Sequence, residues 1–555
     1  MRSVYSVMQT EPLGLHLVLD RAEALFADRA VLDRGPGGVR RTDYAGVFAG
    51  ARALAALLAD LGLRPGDSVA TFSWNTAEHL CAYIALPGSG LVMHTVNIRM
   101  GAEETAYTLA HAGDRAVLVD ASLWEVWAKV APPDTLEHVV VTGEAPADLP
   151  AAHGGARVHR FALGTPADTG TAPAPAPRPW RRPADEHEPA AICYTSGTTG
   201  HPKAVVYSHR SVYLHALTLC GADAFAVSHH DTVLPVVPMF HANAWNLPYA
   251  ALLAGAGLAL PGRHLDPERL GPFISASGAT FSAGVPTVWS ALAEAVRAGR
   301  VPADALAPLE RVVIGGSAAP PALLDALAKL GVAPVHAWGM TECSPVGLVA
   351  TDPLTADEDE RAAARRSQGR PLPGLAVRSA AADGEVPWDG ATPGELEISG
   401  PYVVDRYYRP EKDTEDSFTR TPDGRRWLRT GDMVVVGRRG YVTLVDRAKD
   451  MVKSGGEWIS SVDVENRLTA HPGVRESAVI AVPDPTWGER PLAVVARAEG
   501  AEGGPVAAED LAAYLAESLP RWQVPDRFVF VDEVPKTGVG KFDKKRMRAV
   551  YGAAG

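Results

Sequence analysis

Apolar positions recur along the chain at helical and strand-like spacings. Between residues 44 and 61 they fall on one face of a helix, which Gly62 and Pro65 end. Short apolar runs separate such helices, at 116–119, 139–141, 233–237 and 312–314. Runs of this length between helices are typical of buried parallel strands. The pattern therefore predicts an α/β fold with parallel-rich sheets.

The residue composition changes at two places along the chain. Residues 165–189 are rich in proline and charge, which indicates an extended surface connection. After the apolar run 441–445 the chain becomes polar. Beyond it, runs at 478–482, 492–496 and 528–531, with a helix carrying Leu511, Tyr514, Leu515 and Leu519, predict a compact α+β unit. We expect a large N-terminal domain of residues 1–445 and a small C-terminal domain of residues 446–555.

Composition and charge narrow the function classes. The 555 residues are 46% hydrophobic and 21% charged, as in globular proteins. The net charge of −12 leaves no global positive field for a nucleic acid, so we expect a small-molecule substrate held by a local site.

Cysteine spacing and the apolar stretches bear on disulfides, zinc binding and location. The four cysteines are far apart and form no CxxC pair, so their spacing supports neither a disulfide framework nor a zinc site. The N-terminus lacks a clean signal-peptide core, and the longest apolar stretch, 247–260, is shorter than the ~18 residues of a membrane span. These patterns predict a cytoplasmic protein without a membrane span.

The strongest local signal is YTSGTTGHPK, residues 194–203. Its hydroxyls and glycines can surround a polyphosphate while Lys203 supplies a positive charge. The segment does not fit GxxxxGK[ST], and no GxGxxG follows a strand. The sequence therefore argues against a Walker-type NTPase and a Rossmann dehydrogenase. On composition alone, a flexible Ser/Thr/Gly turn is as good an interpretation as a phosphate loop.

This loop resembles the signature of the adenylate-forming superfamily, which includes acyl-CoA synthetases, luciferases and peptide-synthetase adenylation domains. Further segments similar to the family's core motifs follow in order: PMFHANAW (238–245), GGSAAP (315–320), WGMTECSP (338–345), RTGD (429–432), DRAKDMVKSGGEWIS (446–460) and PKTGVGK (535–541). PMFHANAW and SGGEWIS look most like the bacterial medium- and long-chain fatty acyl-CoA ligase branch.

The resemblance implies an enzyme that joins a carboxylate to ATP, releases pyrophosphate, and passes the acyl-adenylate to CoA. It implies a mobile small domain, the cofactors ATP, Mg²⁺ and CoA, and often a homodimer. It assigns catalytic roles to Lys541, Thr341, Glu342 and Lys203, with Glu342 as the magnesium ligand.

The same resemblance assigns binding roles to further residues. The ATP site would consist of Thr195, Ser196, Gly197, Thr198, Thr199, Gly200, Gly316, Ser317, Ala318, Trp338, Gly339, Asp432, Arg447 and Lys453. The acyl site would be lined by His241, Trp245 and Gly315, with Trp245 at the position of an aromatic gate to a fatty-acid tunnel. The hinge and the CoA channel would be formed by Lys449, Gly455, Gly456 and Trp458.

Three residues depart from the family pattern: Ala204, Trp338 and Cys343. None of these departures removes a charge that adenylation needs. They are expected to affect the shape of the pocket and therefore the choice of acyl substrate. Two alternatives stay open. In the first, the chain is an ATP-dependent enzyme that passes the adenylate to an amine or carrier protein, or activates nitrite for diazotisation, as some relatives do. In the second, it is a nucleotide-binding regulator that binds ATP without turnover.

Overall fold

The computed structural model describes residues 8–35, 37–164, 179–195, 201–354, 357–381, 384–455, 457–498, 506–537 and 541–552. Its α-helices are α1 Leu15–Leu25, α2 Tyr44–Asp60, α3 Ala77–Gly88, α4 Ala102–Ala112, α5 Trp124–Trp127, α6 His209–Leu219, α7 Leu247–Ala254, α8 Pro267–Ser277, α9 Pro286–Arg297, α10 Pro321–Lys329, α11 Glu358–Arg366, α12 Ser461–Ala470, α13 Ala508–Ala516 and α14 Lys544–Tyr551. Short 3₁₀ turns lie at Ala121–Leu123, Ala242–Asn246, Ala303–Leu306, Thr341–Cys343, Glu415–Ser417 and Arg521–Gln523.

The strands up to residue 447 form three sheets. They are β1 Ala30–Gly35, β2 Gly38–Asp43, β3 Ser68–Phe72, β4 Val92–Thr95, β5 Asp114–Asp120, β6 His138–Thr142, β7 Ala152–His153, β8 Ala156–Phe161, β9 Pro189–Tyr194, β10 Ala204–Ser208, β11 Thr232–Pro235, β12 Gly257–Leu260, β13 Phe281–Gly284, β14 Arg311–Ile314, β15 Ala333–Gly339, β16 Val346–Val349, β17 Arg370–Pro371, β18 Ala376–Ala381, β19 Gly384–Val386, β20 Gly394–Ser399, β21 Phe418–Arg420, β22 Arg426–Val436 and β23 Val442–Arg447. The strands after residue 447 are β24 Val452–Ser454, β25 Glu457–Ile459, β26 Val474–Asp484, β27 Gly488–Arg497 and β28 Arg527–Val531.

Two of these sheets are largely parallel, as the apolar runs predict. The first has the order β17-β16-β15-β14-β13-β11-β12-β1-β2, and its central strands from β15 to β1 run parallel. The second has the order β10-β9-β4-β3-β5-β6-β8-β7 and is parallel from β9 to β8. The third, built from β18 to β23, is antiparallel. This architecture confirms the predicted fold class.

The main core lies between the two parallel-rich sheets. Helix α2 begins as the sequence predicts, with the Asp43 side chain accepting from the Gly46 N–H over 2.9 Å. It buries Val47, Leu54 and Leu58 in the same cluster that holds strand residues of both sheets. The hydrophobic stripe thus fixes which face of the helix enters the core.

The proline-rich connection differs from the prediction in one respect. Residues 165–178 lie outside the described part, but Trp180 within the same segment is buried. Its ring lies 3.6 Å from the Arg52 guanidinium carbon, and its N–H donates to Glu23 over 2.9 Å. The connection therefore anchors itself in the core of the large domain.

The small sheet follows the predicted α+β unit. It has the order β25-β24-β27-β26, with β28 parallel to β27, and α12 and α13 cover it. Helix α13 ends at Ala516, so Leu519 is buried beyond the helix. Strand β23 of the large domain continues through Arg447. The division into domains between residues 445 and 446 stays a prediction. None of the helices in the described ranges has the length and hydropathy that a membrane span requires.

Candidate active site

A cleft with a volume of about 430 Å³ opens where neighbouring parallel strands of the first sheet end. Strands β11, β13, β14 and β15 lead into its lining, which is the edge where open α/β sheets bind ligands. The lining includes the predicted residues Thr195, Lys203, His241, Trp245, Gly315, Gly316, Trp338, Gly339, Thr341, Glu342, Arg447 and Lys541. Seven separate motifs of the chain are therefore represented by residues at or beside one cavity.

The two ends of the glycine-rich loop meet at the cleft. The Thr195 N–H donates to the Lys203 carbonyl over 2.9 Å, which continues the antiparallel pairing of β9 and β10. The Lys203 ammonium lies 4.5 Å from the centre of the Tyr407 ring. The predicted ATP-site residues Ser196, Gly197, Thr198, Thr199 and Gly200 lie outside the described residues.

Glu342 is a buried carboxylate on the wall of the cleft. The Tyr407 hydroxyl donates to its Oε1 over 2.7 Å. Burial raises the pKa of Glu342, while the positive charges of Lys203 and Arg447 act in the opposite direction. Within the described ranges, the side-chain partner of the Glu342 carboxylate is the Tyr407 hydroxyl.

The position of Glu342 is held by its backbone. Its carbonyl accepts from the Val404 N–H over 2.8 Å, and the preceding Thr341 carbonyl accepts from the Tyr207 hydroxyl over 2.6 Å. These bonds tie the motif to two distant segments of the large domain. These bonds fix the backbone of Glu342, and the bond from the Tyr407 hydroxyl orients its carboxylate.

Asp432 lines a second cavity beside the cleft, and its carboxylate has two partners. The Trp338 indole N–H donates to Asp432 Oδ2 over 2.7 Å, and Arg447 Nε lies 3.0 Å from Oδ1. Asp432 and Arg447 are paired across β22 and β23. Because a carboxylate has about four acceptor sites, Asp432 retains capacity for hydroxyl donors of a ligand.

The loop after β14 approaches the cleft with its backbone. Gly316 has φ +83°, and a Cβ on Gly315 would lie only 2.7 Å from the Ala337 carbonyl oxygen. Gly316, Ser317 and Ala318 also line an adjoining cavity of about 650 Å³, together with Asp432 and Arg447. A flat ligand can therefore lie close against this backbone.

His336 and Gln368 support that loop, and neither is part of a motif singled out in the sequence. His336 Nε2 accepts from the Ala319 N–H over 3.4 Å, and its Nδ1 lies 3.3 Å from the Arg366 carbonyl oxygen. Burial lowers the pKa of His336 to about 4, so the ring is neutral and able to accept. Gln368 contacts the same ring and accepts from the Leu444 N–H.

Lys541 enters the cleft from the small domain. Its Cε lies 3.8 Å from the position that a Cβ on Gly316 would take. Burial and, secondarily, the charge of Arg447 lower the pKa of Lys541 to about 8, although Asp432 and Glu342 favour its charged form. The Thr537 N–H donates to the Lys541 carbonyl over 2.7 Å and so fixes the base of this loop.

The remaining side of the cleft is mostly apolar. His241 and Trp245 lie on it, with Val237, Ala242, Val285 and Val346. Burial, with a smaller effect of the Lys541 charge, lowers the pKa of His241 to about 4. His241 is therefore a neutral group in this pocket near pH 7.

Trp245 lies in an unusual backbone turn. The five consecutive residues Ala242–Asn246 all have left-handed φ values, between +43° and +61°. Such a conformation costs about 1–2 kcal/mol per non-glycine residue, so the surroundings must enforce it. No sequence rule for L-residues predicts this turn, because none of the five is glycine.

The predicted hinge and CoA-channel residues occupy a different region. Lys449 lines the adjoining cavity beside the small domain. Lys453, Gly455 and Trp458 lie on the small sheet and line neither cavity in this arrangement. Lys453 is 5.4 Å from the centre of the half-exposed Trp458 ring, and Gly456 lies outside the described residues. The structure therefore does not bring the predicted ATP-site residue Lys453 to the cleft.

Comparison with known proteins finds similar proteins over nearly the whole chain. The family model described as AMP-binding enzyme matches residues 19–408, and the AMP-binding enzyme C-terminal domain matches residues 463–541. A long-chain-fatty-acid–CoA ligase of Thermus thermophilus is 43% identical over 99% of this chain and 98% of its own. A 3-methylmercaptopropionyl-CoA ligase of Ruegeria lacuscaerulensis is 40% identical over 98% of both chains.

Solved structures share the fold over the whole chain. ATP-bound MatB from Rhodopseudomonas palustris has a TM-score of 0.78 at 27% identity and covers 97% of this chain and 99% of its own. The anthranilate CoA ligase AuaEII, in complex with anthranoyl-AMP, has a TM-score of 0.82 at 23% identity and covers 98% of each chain. At 23% identity, the similarity to AuaEII supports a shared fold only.

Proposed function

Because the chain belongs to the AMP-binding enzyme family, we propose that it is an ATP-dependent acyl-CoA ligase. A carboxylate oxygen attacks the α-phosphorus of ATP, the bond to the β-phosphate oxygen breaks, and pyrophosphate leaves. The CoA thiolate then attacks the acyl carbon, and AMP leaves with the bonding electrons. The observation that carries the proposal is the entry of Lys541 into a cleft that also holds Glu342 and an apolar pocket.

In the first half-reaction, catalysis is mainly positioning and charge stabilisation. Lys541 bridges the attacking carboxylate and the α-phosphate, and Lys203 neutralises the departing pyrophosphate. The Thr341 hydroxyl contacts the α-phosphate, and Thr195 with the loop that follows it cradles the β- and γ-phosphates. The placement of Thr195, Lys203 and Lys541 on one cleft supports these roles.

Asp432, Arg447 and the glycine loop hold the nucleoside. Asp432 accepts from the ribose hydroxyls, and Arg447 donates to the ribose or phosphate oxygens. Adenine lies between the backbone of Gly315, Gly316, Ser317 and Ala318 and the face of Trp338, with Gly339 beside it. The fixed orientation of Trp338 by its bond to Asp432 supports this arrangement.

The donor set around Glu342 fits Mg²⁺. This ion prefers one or two carboxylates together with phosphate oxygens and water, and Glu342 is a carboxylate without an ion-pair partner in the described part of the chain. Bound there, Mg²⁺ would supply positive charge to the β- and γ-phosphate oxygens. Glu342 would hold the ion, and the Tyr407 hydroxyl orients the Glu342 carboxylate.

The second half-reaction requires a different face of the small domain. Lys449 acts as the hinge, and rotation brings Gly455, Gly456 and Trp458 to the channel for the pantetheine arm of CoA. The absence of Lys453, Gly455 and Trp458 from the lining of both cavities supports a rotation between the two steps. Lys453 would contact the nucleotide only after that rotation. We also propose a cytoplasmic homodimer.

The proposal is tested by measuring AMP, pyrophosphate and thioester with Mg-ATP, a panel of carboxylates, and CoA present or absent. Thioester and AMP formed in equal amounts, and only with all three substrates, are the expected result. Amide formation without a CoA effect would assign the adenylate to an amine, and turnover only with nitrite and an aryl amine would indicate diazotisation. ATP binding without turnover would indicate a regulator.

A further inference from the structure

We propose that Asp446, Ser461 and Lys544 form a latch that holds the small domain in the arrangement in which Lys541 enters the cleft. Asp446 and Lys544 then act as positioning residues for adenylate formation and touch no substrate. The inference rests on the proposed function and deepens it, because it names the contacts that must break between the two half-reactions.

The first part of the latch is a bond between a carboxylate and the start of α12. Asp446 Oδ2 accepts from the backbone N–H of Ser461 over 2.6 Å and from the Ser461 hydroxyl over 2.7 Å. Both residues are buried, so water does not compete for these bonds. The N-terminus of a helix has free N–H groups and a positive dipole end, which stabilise a negative charge placed there.

The second part joins this contact to the segment that bears Lys541. Lys544 Nζ donates to the Ser461 hydroxyl oxygen over 2.6 Å and lies 2.6 Å from Glu465 Oε1. Burial acts to lower the pKa of Lys544, but the neighbouring carboxylates, that of Glu465 above all, raise it, so Lys544 is a cation. Since Lys544 follows Lys541 by three residues, its partners fix the chain directly after Lys541.

Helix α14 also contacts the hinge segment. Arg548 lies one turn after Lys544 on the same face of this helix. Arg548 Nη2 donates to Asp450 Oδ1 over 2.5 Å and to the Lys449 carbonyl over 3.3 Å. Helix α14 therefore holds both the hinge segment and, through Lys544, the latch.

The latch lies across the proposed hinge. Asp446 belongs to β23, three residues before Lys449, whereas Ser461 begins α12, twelve residues after it. Within the described residues, the hydrogen bonds that join residues up to 447 to residues from 457 onward come from Ser461 and from Ser460, whose hydroxyl donates to the Val445 carbonyl over 2.6 Å. A rotation about Lys449 must therefore separate Ser461 from Asp446.

This placement makes the two half-reactions differ in their need for the latch. Adenylate formation requires Lys541 in the cleft, which is the arrangement that the latch stabilises. Thioester formation requires the rotation, which leaves the buried Asp446 carboxylate without its two donors. Because the loss of a hydrogen bond to a charged group changes an equilibrium about tenfold or more, the latch biases the small domain towards adenylate formation.

The test measures the two half-reactions separately, in single turnovers of the full chain. Adenylate formation is followed from ATP and the carboxylate that the wild type activates best, and thioester formation from supplied acyl-adenylate and CoA. The variants are Asp446→Asn, Ser461→Ala and Lys544→Met, with Lys544→Arg as the conservative variant. Asp463→Asn, at an exposed carboxylate of the same helix α12, is the matched control. Ser461→Ala removes only a hydroxyl and keeps the test valid if another variant fails to fold.

Asp446→Asn, Ser461→Ala and Lys544→Met are each expected to lower the rate of adenylate formation about tenfold, whereas thioester formation stays at the wild-type rate or rises. Lys544→Arg keeps the cation and should recover part of the loss, and Asp463→Asn should change neither rate. Equal loss of both half-reactions in the folded variants, or an unchanged rate of adenylate formation in Ser461→Ala, would overturn the inference. A wild type that forms no adenylate with any carboxylate would overturn the proposed function, and this inference with it.

Discussion

Trp338 donates its indole N–H to Asp432 over 2.7 Å, although the two residues are 94 positions apart in the chain. The bond joins the end of β15 to β22 beside the cleft. A tyrosine at this position would carry its donor on a hydroxyl at the far end of the ring. The hydrogen bond from Trp338 therefore fixes the orientation of both the indole ring and the Asp432 carboxylate.

This relationship predicts the effect of removing the indole N–H. Trp338→Phe keeps an aromatic face but loses a hydrogen bond to a charged group, which contributes about 1.5–3 kcal/mol. We expect KM for ATP to rise about tenfold or more, with a smaller change in kcat, in steady-state assays. Trp388→Phe serves as the control, and an unchanged KM in Trp338→Phe would show that Asp432 does not depend on this partner.

Removing the carboxylate at residue 342 should weaken the use of magnesium. In Glu342→Gln we expect the Mg²⁺ concentration for half-maximal activity to rise by about 10- to 100-fold, because an amide is a poorer ligand than a carboxylate. The measurement is a Mg²⁺ titration at fixed ATP. Glu411→Gln changes an exposed glutamate and should leave the titration curve in place. If Glu342→Gln also leaves the curve in place, the metal is held elsewhere.

The lowered pKa of Lys541 predicts an alkaline limb in the first half-reaction. The ammonium is charged below its pKa of about 8 and loses its proton above it, so kcat/KM for adenylate formation should fall above pH 8. Lys541→Arg keeps the charge at all accessible pH values and should lack this limb, at a lower overall rate. A wild-type profile that stays flat above pH 8 would show that Lys541 is not needed in its charged form.

The buried tryptophan of the proline-rich connection predicts a stability effect far from the cleft. Trp180→Ala removes the contacts with Phe48 and Arg52 and the bond to Glu23, and should lower the free energy of unfolding by about 3–5 kcal/mol. Chemical denaturation measures this change. Trp388→Ala, at a partly exposed site, is the control, and an equal loss in both variants would mean that the connection does not anchor in the core.

The spacing of apolar residues predicts much of this fold, because it shows which face of each helix or strand is buried. The stripe of α2 and the apolar runs that become β5, β6, β11 and β14 are all confirmed, since each buries a face that the spacing of apolar residues defines. Trp180 shows the limit, because a tryptophan among prolines and charges has no periodicity to reveal its burial.

The candidate site was predicted from ordered motifs, and the family resemblance behind them is confirmed. Tyr407, His336 and Gln368 were not predicted, because each acts on a partner that is distant in sequence or through a backbone group. The left-handed turn at Trp245 was not predicted either, since long-range contacts of Asn243 and Asn246 enforce it against local preference.

The most direct measurement separates the two half-reactions in Lys541→Ala. Adenylate formation from ATP and acid should fall to background, because the cation at the α-phosphate is lost, whereas thioester formation from supplied acyl-adenylate and CoA should stay near the wild-type rate. Lys545→Ala, at an exposed lysine of the same segment, should retain both half-reactions. Equal loss of both half-reactions in Lys541→Ala, or retention of adenylate formation, would contradict the role given to this lysine.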